Sequence, residues 1–111
     1  MNNSQLLKGT LEGCVLAILN TKEVYGYELV YLLRQKGFNQ VVGGTIYPLL
    51  QKLERQGCVT SIKRPSEDGP DRKYYTLTAK GQQQLAQFDK EWQTLTTIVA
   101  DLLHTNREEQ E

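Results

Sequence analysis

Residues 43–81, GGTIYPLLQKLERQGCVTSIKRPSEDGPDRKYYTLTAKG, change periodicity part-way along. In the first half Ile46, Leu49, Leu50 and Leu53 recur at spacings of three and four, which predicts a helix over 45–56 with one apolar face. Thr45 is a fitting N-cap, Pro48 falls in the first turn where a missing N–H does little harm, and Gly57 closes the helix. Beyond it the period drops to two. Residues 58–64 (CVTSIKR) and 73–77 (KYYTL) read as strands, and the turn formers PSEDGPD between them predict a β-hairpin with a mobile tip. Thr78 then suits the N-cap of a final helix running to about residue 104.

Upstream, Leu7, Leu11, Val15, Ile18 and Leu19 mark an amphipathic helix over 5–20, weakened by Gly9 and Gly13. Residues 21–25 read as a turn. A second short helix over 26–36 carries Leu29, Val30, Leu32 and Leu33 and ends at Gly37. Residues 38–42 are extended or looped, and Gly43-Gly44 reads as a break before the third helix. The fold class is therefore mainly α with a small β-hairpin, a winged helix-turn-helix followed by a long C-terminal helix. The expected organisation is a winged-helix domain over 1–77, a dimerisation helix over 78–105 and a disordered tail over 106–111.

A chain of 111 residues suits one domain with a modest core, and 39% apolar with 23% charged residues is a soluble, globular composition. No apolar run approaches the ~20 residues of a membrane span, and the N-terminus lacks the pattern of a signal peptide, so the cytoplasm is the expected compartment. Cys14 and Cys58 stand far apart outside any CxxC pattern, so two reduced thiols are expected, with no cofactor and no metal. His104 has no nucleophile or base in view, no carboxylate pair stands in an apolar setting, and Gly43-Gly44 lacks the rest of a phosphate loop. The chain does not read as an enzyme.

The formal net charge of zero hides an asymmetry. Residues 44–80 hold seven Lys/Arg against four Asp/Glu, whereas residues 81–111 hold two against six. A local basic region can attract a polyanion whatever the total. With the apolar face of the third helix turned inward, Thr45, Tyr47, Pro48, Gln51, Lys52 and Arg55 face outward, a mixture of hydroxyls, an amide and cations able to bond phosphates and base edges. Lys63 and Arg64 leave one strand of the hairpin while Arg72 and Lys73 enter the other, placing four cations where a sugar-phosphate backbone could run. The acidic tip (Glu67, Asp68, Asp71) assigns contact to the stems rather than the apex. Tyr25 and Tyr27 bracket Gly26 at the second helix's start, where a hydroxyl can reach a phosphate or merely point to water.

In the last helix Leu85, Phe88, Trp92, Leu95, Val99 and Leu102 follow at spacings of 3, 4, 3, 4 and 3, and Ile98 and Leu103 widen the stripe. A small three-helix core is already occupied by its own helices, so a second copy is expected on the stripe; the alternative is a helix folded back on its own domain. A two-fold homodimer would present two recognition helices to a palindromic site of double-stranded DNA. The competing reading is a winged helix used for protein–protein assembly without reading DNA, because fold alone does not fix function.

The segments YGYEL (25–29), GGTIYPLLQKLERQG (43–57) and GPDRKYYTLTAKG (69–81) together resemble the PadR family of bacterial transcriptional regulators, over about residues 7–81. The resemblance implies a winged helix, sequence-specific DNA binding as a homodimer, usually repression, and often release by a small ligand. It places Thr45, Tyr47 and Pro48 in the recognition-helix motif and Arg72, Lys73 and Tyr74 in the wing motif, where Asp71 departs from the family's PRKYY-like pattern. The single helix after the wing is similar to the short-form subgroup. In part of that subgroup flat aromatic compounds bind between tryptophans at the dimer interface, which would make Trp92 the ligand contact.

Overall fold

The structure, a computed structural model, describes residues 9–105. Helix α1 spans Leu11–Leu19, strand β1 Val24–Tyr25, helix α2 Gly26–Gln35, helix α3 Gly43–Arg55, strands β2 Val59–Ser66 and β3 Gly69–Leu77, and helix α4 Ala79–Leu103. The predicted helical start at residues 5–8, with Leu7, and the tail over 106–111 lie outside the described residues. Gly9 adopts φ +98°, a left-handed conformation that a helix cannot continue through, so α1 begins at Leu11 after a turn.

The core forms where the inner faces of α1, α2 and α3 meet the sheet. Leu16, Leu29, Leu33, Ile46, Leu50 and Leu53 are almost wholly withdrawn from water, and each such side chain contributes about 1.5–3 kcal/mol. Val24, Val59 and Tyr75 close the core from the sheet side. Gly37 (φ +117°) and Gly57 (φ +78°) stop α2 and α3 as the sequence predicts.

Three expectations need correction. The turn at 21–25 contains β1, whose Val24 and Tyr25 pair antiparallel with Tyr75 and Tyr74, giving a three-stranded sheet of order β1-β3-β2. Two residues carry no readable period, so only their partner strand reveals them. Helix α3 starts at Gly43 with Val42 as N-cap, not at Thr45. Pro48 therefore lies inside the helix rather than in its first turn, and removes the hydrogen bond the Gly44 carbonyl would otherwise accept. Finally, the segment PSEDGPD is mostly strand: β2 and β3 pair as far as Ser66 and Gly69, leaving Glu67 and Asp68 as the turn. Pro65 falls on the edge strand β2 at the register irregularity between Arg64 and Ser66, positions that tolerate a residue without an N–H.

Thr78 caps α4 as expected. Its hydroxyl accepts from the Gly81 N–H at 3.1 Å and donates to the Gly57 carbonyl at 2.6 Å. Gly81 is pressed against the Cys58 carbonyl so closely that a Cβ there would stand 2.1 Å from the oxygen. The Lys80 ammonium donates to the Gln56 carbonyl at 2.6 Å. These contacts fix the root of α4 to the α3–β2 junction, and the 25-residue helix, about 37 Å long, then passes α1 and projects beyond the core. Cys14 and Cys58 are free thiols, and burial pushes the Cys14 thiol up from its usual value. No helix among the described residues is long and apolar enough to cross a membrane.

Candidate nucleic-acid interface

On α3 the six side chains predicted to face outward, Thr45, Tyr47, Pro48, Gln51, Lys52 and Arg55, are all exposed. Tyr47 sits where α2 and α3 both begin. A Cβ on Gly26 would lie 2.4 Å from Tyr47 Cε1, and one on Gly43 3.2 Å from its ring. Two residues without side chains thus seat an aromatic ring between two helix N-termini, whose free N–H groups favour an anion. Of the two glycines that read as a break before α3, Gly43 lies against the Tyr47 ring, whereas a Cβ on Gly44 would meet nothing within 4 Å.

The hairpin places its cations directly opposite one another: Lys63 pairs with Lys73 and Arg64 with Arg72. Strand geometry puts the first pair on one face and the second on the other. Like charges facing each other across a ladder are unfavourable. Arg64 is offset by Glu23, 2.9 Å away, and lies 5.3 Å from the centroid of the Tyr74 ring. Arg72 stands 4.5 Å over the Tyr25 ring, which in turn meets Tyr74 edge-on at 5.4 Å. Tyr25 is therefore a half-buried platform for the wing, whereas Tyr27 is freely exposed. Lys73 turns towards α3, where it meets Glu54 at 3.3 Å. Between wing and helices runs a groove of about 330 Å³ lined by Tyr25, Tyr27, Tyr47, Ser66, Asp68 and Arg72.

Three carboxylates of this face escaped the sequence reading. Glu12 of α1 approaches Lys52 at 3.6 Å, Glu23 holds Arg64, and Glu54 holds Lys73. A 2.6 Å hydrogen bond from the Ser61 hydroxyl, joined by the Lys73 ammonium, keeps the Glu54 carboxyl below its usual range. The same contact raises Lys73. Nothing local in the sequence marks these pairs, since Glu12–Lys52 and Glu23–Arg64 join residues about forty positions apart.

The stripe on α4 divides into two parts. Leu85 packs against the core of its own domain, and the Phe88 ring covers Gly13 of α1. From Trp92 outward the stripe is bare, with Leu95 and Ile98 about half exposed and Leu102 73% exposed. The Phe88 and Trp92 rings stack at 6.1 Å with 15° between their planes. Beside them α1 and α4 enclose a groove of about 710 Å³, floored by Gly13, Cys14, Ala17, Leu85 and Phe88. Among the described residues no group of His, Cys, Asp and Glu is placed to hold a metal ion.

Three helices closed by a small sheet, with the outer hairpin standing beside the exposed face of the third, define a winged helix-turn-helix protein. The chain belongs to the PadR-like family of transcriptional regulators, which its residues 15–87 match. Members of that family are regulators rather than enzymes, bind DNA and typically act as dimers. Among solved structures, a Streptococcus transcriptional regulator is 51% identical, covering 90% of this chain and 98% of its own, with a TM-score of 0.81. A PadR-like transcriptional regulator from Bacillus cereus is 44% identical, covering 92% and 99%, with a TM-score of 0.83. A PadR family transcriptional regulator from Eggerthella lenta is 36% identical, covering 92% and 88%, again with a TM-score of 0.83.

Proposed function

We propose that this chain is a cytoplasmic, sequence-specific DNA-binding repressor that acts as a homodimer on a palindromic operator. The N-terminal half of α3 enters the major groove, where Thr45, Tyr47 and Gln51 meet base edges or flanking phosphates. Lys52, Arg55 and the stems of the wing hold the sugar-phosphate backbone. The observation carrying this reading is the hairpin's register, which sets Lys63 against Lys73 and Arg64 against Arg72 beside an exposed polar helix face. Four cations on two adjacent rungs, only two of them held by a carboxylate among the described residues, favour a polyanion. The bare stripe from Trp92 to Leu102 supports the dimer, since so large a contiguous apolar face on a projecting helix calls for a partner. Repression follows from the family resemblance, through occupancy of the operator.

Salt dependence tests the DNA reading against an assembly-only role. Duplex affinity is expected to fall steeply between about 50 and 200 mM salt as counterions are released. Failure to retard any duplex at about 50 mM salt rejects it in favour of assembly. A flat aromatic effector at Trp92 is supported by the Phe88–Trp92 stack beside an apolar groove. Titration with planar cationic compounds should quench tryptophan fluorescence, and unchanged emission at high micromolar ligand removes the effector from the proposal.

A further inference from the structure

The cations of the proposed DNA face fall into two sets. Arg55, Lys63 and Arg72 form no salt bridge among the described residues, whereas Lys52, Arg64 and Lys73 each hold one carboxylate, at 3.6, 2.9 and 3.3 Å. The three acids come from three different places: Glu12 from α1, Glu23 from the loop before β1, and Glu54 from α3 itself. In every pair the cation is the more exposed partner, with side chains at 49, 52 and 43% against 28, 27 and 34% for the acids. An anion arriving from solvent therefore meets the cation first and finds the carboxylate behind it.

We infer that Glu12, Glu23 and Glu54 are built-in counter-ions, carboxylates that DNA phosphates must displace from Lys52, Arg64 and Lys73, and that they set the strength and salt dependence of duplex binding. This rests on the reading of this face as DNA-binding. A cation freed of its carboxylate can neutralise a phosphate and release the salt ion condensed there. A cation still shared with its carboxylate contributes only the difference between the two partners, and the released acid stays close to the incoming phosphate. Half of the six cations are thus attenuated, in keeping with a chain whose formal net charge is zero. Weak hold on arbitrary sequence leaves more protein free to find its operator.

The test uses the full-length chain and a duplex of arbitrary sequence, titrated across a salt series. The triple variant Glu12→Gln/Glu23→Gln/Glu54→Gln keeps side-chain shape and removes three negative charges. Affinity at about 50 mM salt should rise by up to about fivefold for each carboxylate removed, the worth of an exposed ion pair. The slope of log affinity against log salt should steepen by up to about 0.9 for each cation released. A charge-matched variant on α4, Asp89→Asn/Glu91→Gln/Asp101→Asn, should leave the slope near that of the wild type. Because Glu54 also ties the wing to α3, the double variant Glu12→Gln/Glu23→Gln carries the test alone if thermal unfolding shows the triple to be destabilised. Equal slopes in wild type and variants, weaker binding by a folded variant, or an equal gain in the α4 control overturns the inference while DNA binding stands. No retardation of any protein at low salt removes the DNA reading itself.

Discussion

The ring of Phe88 on α4 occupies the space that a side chain on Gly13 of α1 would need; a Cβ there would stand 2.3 Å from two ring carbons. Gly13→Ala must therefore swing the ring away from α1 and disturb its stack on Trp92. Overpacking of this kind costs about 1–3 kcal/mol, and urea unfolding should show a loss in that range. The second change Phe88→Leu should restore part of it. Unchanged stability in Gly13→Ala means that the two helices do not approach this closely in solution.

Tyr47 and Gly26 give the corresponding test on the proposed DNA face. Gly26→Ala should push the Tyr47 ring out of its seat and weaken duplex retardation, because the ring has Gly43 on its other side. Tyr47→Phe keeps the packing and removes one hydroxyl, so the fold should melt unchanged. Its duplex affinity should drop by about 2- to 10-fold, the worth of one hydrogen bond. Full affinity in Tyr47→Phe assigns the residue a packing role only.

The tie between wing and α3 should depend on pH with a definite sign. Glu54 is held below its ordinary 4.5, first by Ser61 and then by Lys73, so its contribution is complete above 4.5 and disappears as pH falls through the lower folded value. Lys73 is held above its ordinary 10.5, chiefly by Glu54, so its share persists below 10.5 and is lost only as pH rises through the higher folded value. The stability difference between wild type and Glu54→Gln should be flat across neutral pH, below about 1 kcal/mol for a pair this exposed, and should close on acidification. A difference that grows in acid contradicts the assignment.

The proposed dimer stripe on α4 and the proposed DNA face occupy separate surfaces. Leu95→Asp with Val99→Asp should give a monomer by sedimentation with the domain still folded, because both side chains stand free of their own core. Lys52→Ala with Arg55→Ala should weaken duplex binding and leave sedimentation unchanged. If the first pair remains dimeric, the interface lies elsewhere on the chain.

Much of this arrangement was legible in the residues themselves. The three-and-four spacing of Ile46, Leu50 and Leu53 gave α3, and Thr78 marked the start of α4, because helix period and capping are local properties. The exposed positions of α3 followed from the same spacing. Strand β1 was hidden, since Val24 and Tyr25 become a strand only through Tyr74 and Tyr75. The start of α3 was misplaced for a related reason: Gly43 reads as a break until the Tyr47 ring that requires it is seen across the turn. Glu12, Glu23 and Glu54 look like ordinary surface acids until folding brings their distant partners beside them. Likewise the α4 stripe reads as one seam, yet Leu85 is already engaged within its own domain.

The rooting of α4 at Thr78 and Gly81 ties the geometry of the proposed dimer to a count of residues. Since each residue turns a helix by about 100° and advances it by about 1.5 Å, one insertion between Gly81 and Trp92 would rotate the mating edge away from its partner and re-aim both recognition helices. Seven added residues would nearly restore the phase while lengthening the arm by about 10 Å. An arm on the proposed dimer stripe can therefore change length by whole heptads without losing its facing edge, whereas a single step turns that edge away.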